Sequence, residues 1–114
     1  MSPITTHVLD TSLGRPARGV PARLEMQEGD GGWRFLGAGA TDADGRLRDL
    51  LPDDFDVRPG ICRLVFDTAA YFETQSLRSF YPHVAVVFLV HDAAQHYHVP
   101  LLLSPYGYST YRGS

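Results

Sequence analysis

The sequence predicts an all-β fold: an antiparallel sandwich of two four-stranded sheets packed face to face, with one short helix, in a single domain over residues 1–114. Three observations carry this expectation. Apolar residues recur mostly at every second position, the period of a strand with one buried face. Clusters of Gly, Pro and Asp cut the chain into about eight short runs, the spacing of a sandwich. At 114 residues, 44% hydrophobic and 20% charged, the chain can bury one core and not two.

Each element follows from its own pattern. In Ile4–Asp10, Ile4, Thr6 and Val8 share one face, and Thr5, His7 and Leu9 the other. Breakers from Thr11 to Gly19 make a loop. The cleanest strand is next, Val20 to Glu28, where Val20, Ala22, Leu24 and Met26 alternate with Arg23, Glu25 and Gln27. The tight Gly29-Asp30-Gly31-Gly32 segment turns it into a hairpin with Trp33–Thr41, placing Trp33 and Phe35 on a common face. Asp42-Ala43-Asp44-Gly45 is a polar turn, and Arg46-Leu47-Arg48 leaves room only for a brief edge strand. Gly60–Phe66 is a strand, and Asp67–Thr74 is the one helical segment, with a capping Asp or Thr and helically spaced apolar residues. Val84–Val90 is apolar on both faces, which predicts an interior strand. His96–Ser104 and Tyr106–Arg112 complete the set.

Composition removes several function classes. A net charge of −3 with dispersed positive charges gives no footprint for nucleic acid. All ten cations are arginines, so neither a Schiff-base lysine nor a P-loop lysine exists. The lone cysteine, Cys62, lies in an apolar run and reads as a small core residue; no intrachain disulfide can form. The N-terminal segment lacks a basic, apolar leader, and no run approaches the ~18 apolar residues of a membrane span. A cytoplasmic protein with no membrane partner is expected.

Histidine offers the chemistry, because neutral imidazole is well placed for proton transfer near neutral pH. His96 and His98 lie on the face of their strand opposite Tyr97, Val99, Leu101 and Leu103, so they look outward or into an interface. Three readings of His98 stand side by side: an exposed polar residue, an acid/base group, or a zinc ligand completed by His96 with His7 or His91. Arg46 is either a solvated edge residue or a guanidinium aimed at a polarised carbonyl. Ser104 and Ser114 lack a Gly-x-Ser-x-Gly elbow, which argues against an acyl-enzyme. The last ten residues carry three tyrosines and an arginine at strand quality, a pattern that suits an oligomer interface.

Three blocks resemble the transthyretin-like 5-hydroxyisourate hydrolases. They are Thr6-His7-Val8-Leu9-Asp10-Thr11 leading to Gly14-Arg15-Pro16-Ala17; Thr41-Asp42-Ala43-Asp44-Gly45-Arg46; and His96-Tyr97-His98-Val99-Pro100-Leu101-Leu102-Leu103-Ser104-Pro105 running on to Tyr111-Arg112-Gly113-Ser114. The resemblance covers essentially the whole chain, and the terminal Tyr-Arg-Gly-Ser is its most specific part. It implies a transthyretin-like sandwich assembled as a homotetramer, with sites in a channel at the dimer-dimer interface. It implies hydrolysis of 5-hydroxyisourate, a cyclic amide made by urate oxidation, to a carboxylated ureidoimidazoline, with no cofactor and no metal. His7, Arg46 and His98 would be catalytic: the imidazoles as an acid/base pair, Arg46 against the oxyanion. Those three would also bind substrate together with Tyr111, shaping the pocket, and Ser114, positioning water or substrate. The alternatives are a transthyretin-type carrier of a small molecule without catalysis, and a plain interaction module.

Overall fold

The structure, a computed structural model, describes residues 2–114; Met1, included above in the single domain and in the leaderless segment, lies outside the described residues. Nine strands and one helix form two sheets among them.

The sheet that carries the histidines is built on β1 (Ile4–Asp10) and β8 (Tyr97–Ser104). These two run parallel, with Thr5 opposite His98 and His7 opposite Pro100, a departure from the all-antiparallel expectation. Parallel neighbours need a long crossover, and here nearly the whole chain lies between them. β9 (Gly107–Thr110) pairs antiparallel to β8 through a tight turn, shorter than the run expected from Tyr106 to Arg112. On its other side β1 takes two short partners: β2 (Arg15–Pro16) on Leu9 and Asp10, and β5 (Arg46–Leu47) on Thr6 and His7. β2 was not expected. It forms because Gly14, at φ 68°, folds the loop back so that its N–H meets the Asp10 carbonyl at 2.8 Å. This two-residue addition makes the sheet five-stranded.

The second sheet has the order β4 (Trp33–Ala40), β3 (Pro21–Gln27), β6 (Gly60–Phe66), β7 (Val84–Val90), all antiparallel. A bulge lies where Leu24 pairs with Gly37 while Glu25 pairs with Phe35, leaving Leu36 extra. Trp33 and Phe35 stay on the outer face, opposite Gln27 and Glu25, as the alternation predicts. The Trp33 ring lies under the Arg63 guanidinium at 4.2 Å, and Arg63 in turn meets Glu25 at 2.6 Å. β7 corrects a sequence expectation: it is an edge strand, not an interior one. Val84, Val86 and Val90 face the core, but Val87 and Leu89 are 59% and 51% exposed.

Between the sheets Ile4, Val8, Leu101 and Leu103 meet Leu24, Leu64, Phe66 and Val84 in one continuous cluster. Each such side chain contributes roughly 1.5–3 kcal/mol by leaving water. Cys62 is buried within it, and burial pushes its thiol up to about 11, so it is inert as expected of a core residue. Helix α1 (Thr68–Glu73) starts where Asp67 accepts the Ala70 N–H at 3.1 Å, and it buries Tyr71 and Phe72. No helix among the described residues is long and apolar enough to cross a membrane.

Candidate active site

Strand alternation and register together assemble the site. On β1, Thr5 and His7 face away from the core side held by Ile4 and Val8. The parallel register brings His98 beside Thr5, and the antiparallel register of β5 brings Arg46 beside His7. The ring centroids of His7 and His98 are 6.5 Å apart. A concavity of about 160 Å³ opens there, lined by Thr5, Thr6, Arg46, Arg48, His96, His98 and Ser114.

The turn before β5 aims Arg46. Asp42 Oδ1 accepts the N–H groups of Asp44 at 2.9 Å and Arg46 at 3.0 Å. The Arg46 N–H above all holds this carboxyl below its ordinary range, and the charges of Arg48 and Arg46 add to the effect. Gly45, at φ 76°, makes the turn, and its carbonyl accepts the Val8 N–H at 2.7 Å, stitching the turn to β1. Any Cβ at Gly45 would collide with the Val8 carbonyl, so glycine is required twice over.

The two imidazoles are held differently. His7 Nε2 lies 2.9 Å from the Asp44 carbonyl, which can only accept, so Nε2 carries the hydrogen and Nδ1 of the neutral ring keeps a lone pair. His98 is partly buried, with Nδ1 2.8 Å from the Thr5 hydroxyl. Burial, followed by the charges that His96, Arg46 and His7 bring when protonated, holds the His98 pKa below its ordinary value, so it is neutral at pH 7. A pair of imidazoles and a guanidinium can activate water and stabilise an oxyanion.

Of the residues singled out from sequence, Arg46, His98 and Ser114 line the same concavity, and His7 stands beside it. The C-terminal segment reaches the site through Gly113, whose N–H donates to the His98 carbonyl at 2.8 Å. Tyr111 is placed elsewhere. It lines a separate, larger concavity of about 370 Å³ at the β7 and β9 edges, with Val86, Phe88, Tyr97, Val99 and Arg112. The chain turns between Tyr111 and Gly113 because Arg112 packs over the Tyr97 ring at 4.6 Å and donates to Gln95 Oε1 at 2.8 Å. Sequence reasoning passed over Thr5 and Arg48. Both sit at the right alternation to share the face, but the parallel register that brings Thr5 to His98 leaves no local signal. For zinc, no group of three His, Cys, Asp or Glu residues among the described ones is placed to hold a metal ion.

The HIUase/Transthyretin family pattern matches residues 4–113, nearly the entire length. The chain belongs to the HIUase/Transthyretin family. Within this family it is 50% identical to a probable 5-hydroxyisourate hydrolase of Caenorhabditis elegans over 111 residues, 97% of this chain and 81% of that one. It is 47% identical to the mouse 5-hydroxyisourate hydrolase over 114 residues, 99% of this chain and 96% of that one. Among solved structures, the Klebsiella pneumoniae 5-hydroxyisourate hydrolase superposes with a TM-score of 0.82 at 33% identity, covering 97% of this chain and 92% of that one. Sea bream transthyretin in complex with thyroxine gives 0.90 at 35% identity, covering 97% and 94%. The transthyretin-like sandwich is therefore shared by members with hydrolase and carrier names, and the site residues must separate them.

Proposed function

We propose that this protein hydrolyses 5-hydroxyisourate to 2-oxo-4-hydroxy-4-carboxy-5-ureidoimidazoline in urate degradation, and that residues 1–114 form one domain for this purpose. The observation that carries it is the meeting of His98, Arg46 and Ser114 in one concavity with His7 alongside. The hydrolase names of the relatives support it. Water adds to the amide carbonyl carbon, the C–N bond breaks, the nitrogen takes one proton, and a carboxylate and a released proton remain; no other reactant is needed. His7 and His98 act as the acid/base pair, contributing about 10²–10⁴-fold. Arg46 faces the oxyanion, a charge that a guanidinium holds without needing to titrate. Ser114 positions water or substrate. Tyr111 shapes the pocket only if a second copy of the chain supplies it, given where it lies here.

That condition belongs to the assembly we propose: a homotetramer with its sites at the dimer-dimer interface, in the cytoplasm. The concavity of one chain is smaller than the roughly 300–1,000 Å³ of ordinary ligand sites, so a facing copy would complete it. The edge strand β7 of the other sheet, with Val87 and Leu89 exposed, offers unpaired backbone and apolar surface for a separate contact within the same assembly.

The test generates 5-hydroxyisourate in place from urate and urate oxidase and follows its ultraviolet decay with and without the protein. Faster decay that disappears in His98→Asn is the expected result. A folded protein that leaves the spontaneous rate unchanged would overturn the hydrolase and favour a carrier, to be checked by binding of an aromatic ligand such as thyroxine.

A further inference from the structure

We propose that Thr5 and His96 form a hydroxyl-bridged relay that decides which ring nitrogen of His98 carries its proton. This deepens the hydrolase assignment and rests on it for its catalytic consequence, though not for its geometry. Thr5 is a buried strand residue whose Oγ1 lies 2.8 Å from His98 Nδ1 and 3.1 Å from His96 Nε2. The two rings stand nearly parallel, 6.4 Å apart between centroids, on either side of that hydroxyl.

A hydroxyl has one hydrogen to give. With both bonds made, one imidazole nitrogen must donate to Thr5 and the other must accept from it. In one arrangement His96 Nε2–H donates to Thr5, Thr5 donates to His98 Nδ1, and His98 carries its proton on Nε2; with His96 protonated, that proton can pass to a leaving nitrogen as Thr5 resupplies Nδ1 and His96 resupplies Thr5. In the other, His98 Nδ1–H donates to Thr5, Thr5 donates to His96 Nε2, and His98 Nε2 has the lone pair of a base. The relay also moves a proton without loss. When His98 Nε2 takes a proton from water, Nδ1 hands its own to Thr5 as the Thr5 hydrogen passes to His96 Nε2. The positive charge then rests on His96, which is solvent-exposed, and returns by the reverse transfers. His98 is thereby spared a charge amid its basic neighbours, His7 on β1, Arg46 on β5, Arg48 just beyond and His96 before β8. Thr5 acts through His98 and is a positioning residue.

The test uses the full chain and four variants. Thr5→Val keeps the shape and removes the hydroxyl; kcat is expected to fall about 10–100-fold with KM changed less than about twofold, as loss of proton-transfer control predicts. Thr5→Ser should recover most of that loss. His96→Ala should lower kcat as well, and the Thr5→Val/His96→Ala double variant should lose no more than the worse single one, because both break one chain of bonds. Multiplying losses, or no recovery in Thr5→Ser, would overturn the relay in favour of a packing role. Independently, ¹⁵N shifts of His98 in the substrate-free protein should show its tautomer balance altered in Thr5→Val and His96→Ala. An unchanged balance in both overturns the relay. A changed balance in a protein whose wild type hydrolyses nothing upholds the relay and sinks the hydrolase.

Discussion

His98 and Asp10 show how single groups on β1 and β8 are tuned by what surrounds them. Replacing His7 or His98 by Asn should leave the far-ultraviolet circular dichroism unchanged while kcat falls by about 10²–10⁴-fold; retained activity in both would remove the acid/base pair. The sign of the pH dependence follows from the depressed His98 pKa. With His98 as the base, which is competent only above its own pKa, the acid limb of kcat/KM should lie below about 6.5, the ordinary imidazole value. A limb above it contradicts the assignment. Asp10 is fully buried; burial pushes its carboxyl up, but bonds from Ser12 and Tyr71 and the N–H groups of Leu13 and Ser12 outweigh this and hold it low. The Tyr71 hydroxyl, 2.6 Å from Asp10 Oδ2, is itself pushed up to about 12, chiefly by burial. A depressed carboxyl stabilises the fold above its unfolded pKa and ceases to as pH falls through the folded one. Tyr71→Phe should therefore cost about 1–3 kcal/mol in urea unfolding at pH 7 and less in strong acid. Alternation put His7 and His98 off the core side of their strands but left their use open, as it did that of Arg46; it was the resemblance of their three sequence blocks that grouped them. Thr5 was not legible, because a threonine on a strand is ordinary until its partner across the register is known.

Within the elements, Gly113 constrains the His98 ring directly. A Cβ there would approach His98 Cδ2 to 2.6 Å and Pro100 Cγ to 3.1 Å. Gly113→Ala should therefore displace the His98 ring, cutting kcat by at least about tenfold while unfolding free energy moves by less than about 1 kcal/mol, since Tyr111, Arg112 and Ser114 around it are exposed. Equal damage to both would make the terminus a structural clasp instead. Most strands could be bounded from alternation alone, to within a residue or two, because one buried face gives period two a clear signature. The β7 strand shows where that argument stops. Two apolar faces signal that both are covered, but not whether a neighbouring strand or another molecule covers the second. β2 was invisible for a different reason: two residues carry no period.

For the molecule as a whole, the sandwich was legible from strand number and length, whereas the parallel pairing at its centre was not, because nothing local to residues 4–10 names residues 97–104 as their partner. If the site is shared between subunits, activity per chain should fall as dilution dissociates the assembly, with light scattering and turnover measured on the same samples. A fully active monomer would place the whole site in one chain. The same parallel pair fixes an order of events in folding. β1 is made well before β8, so it must wait, unpaired on that side, until residues 11–96 have followed it. Closing so long a loop is slow, and His7 and His98 meet only when it closes. The second sheet can form earlier from its hairpins, and an unfinished chain would expose a finished half-sandwich with no active site.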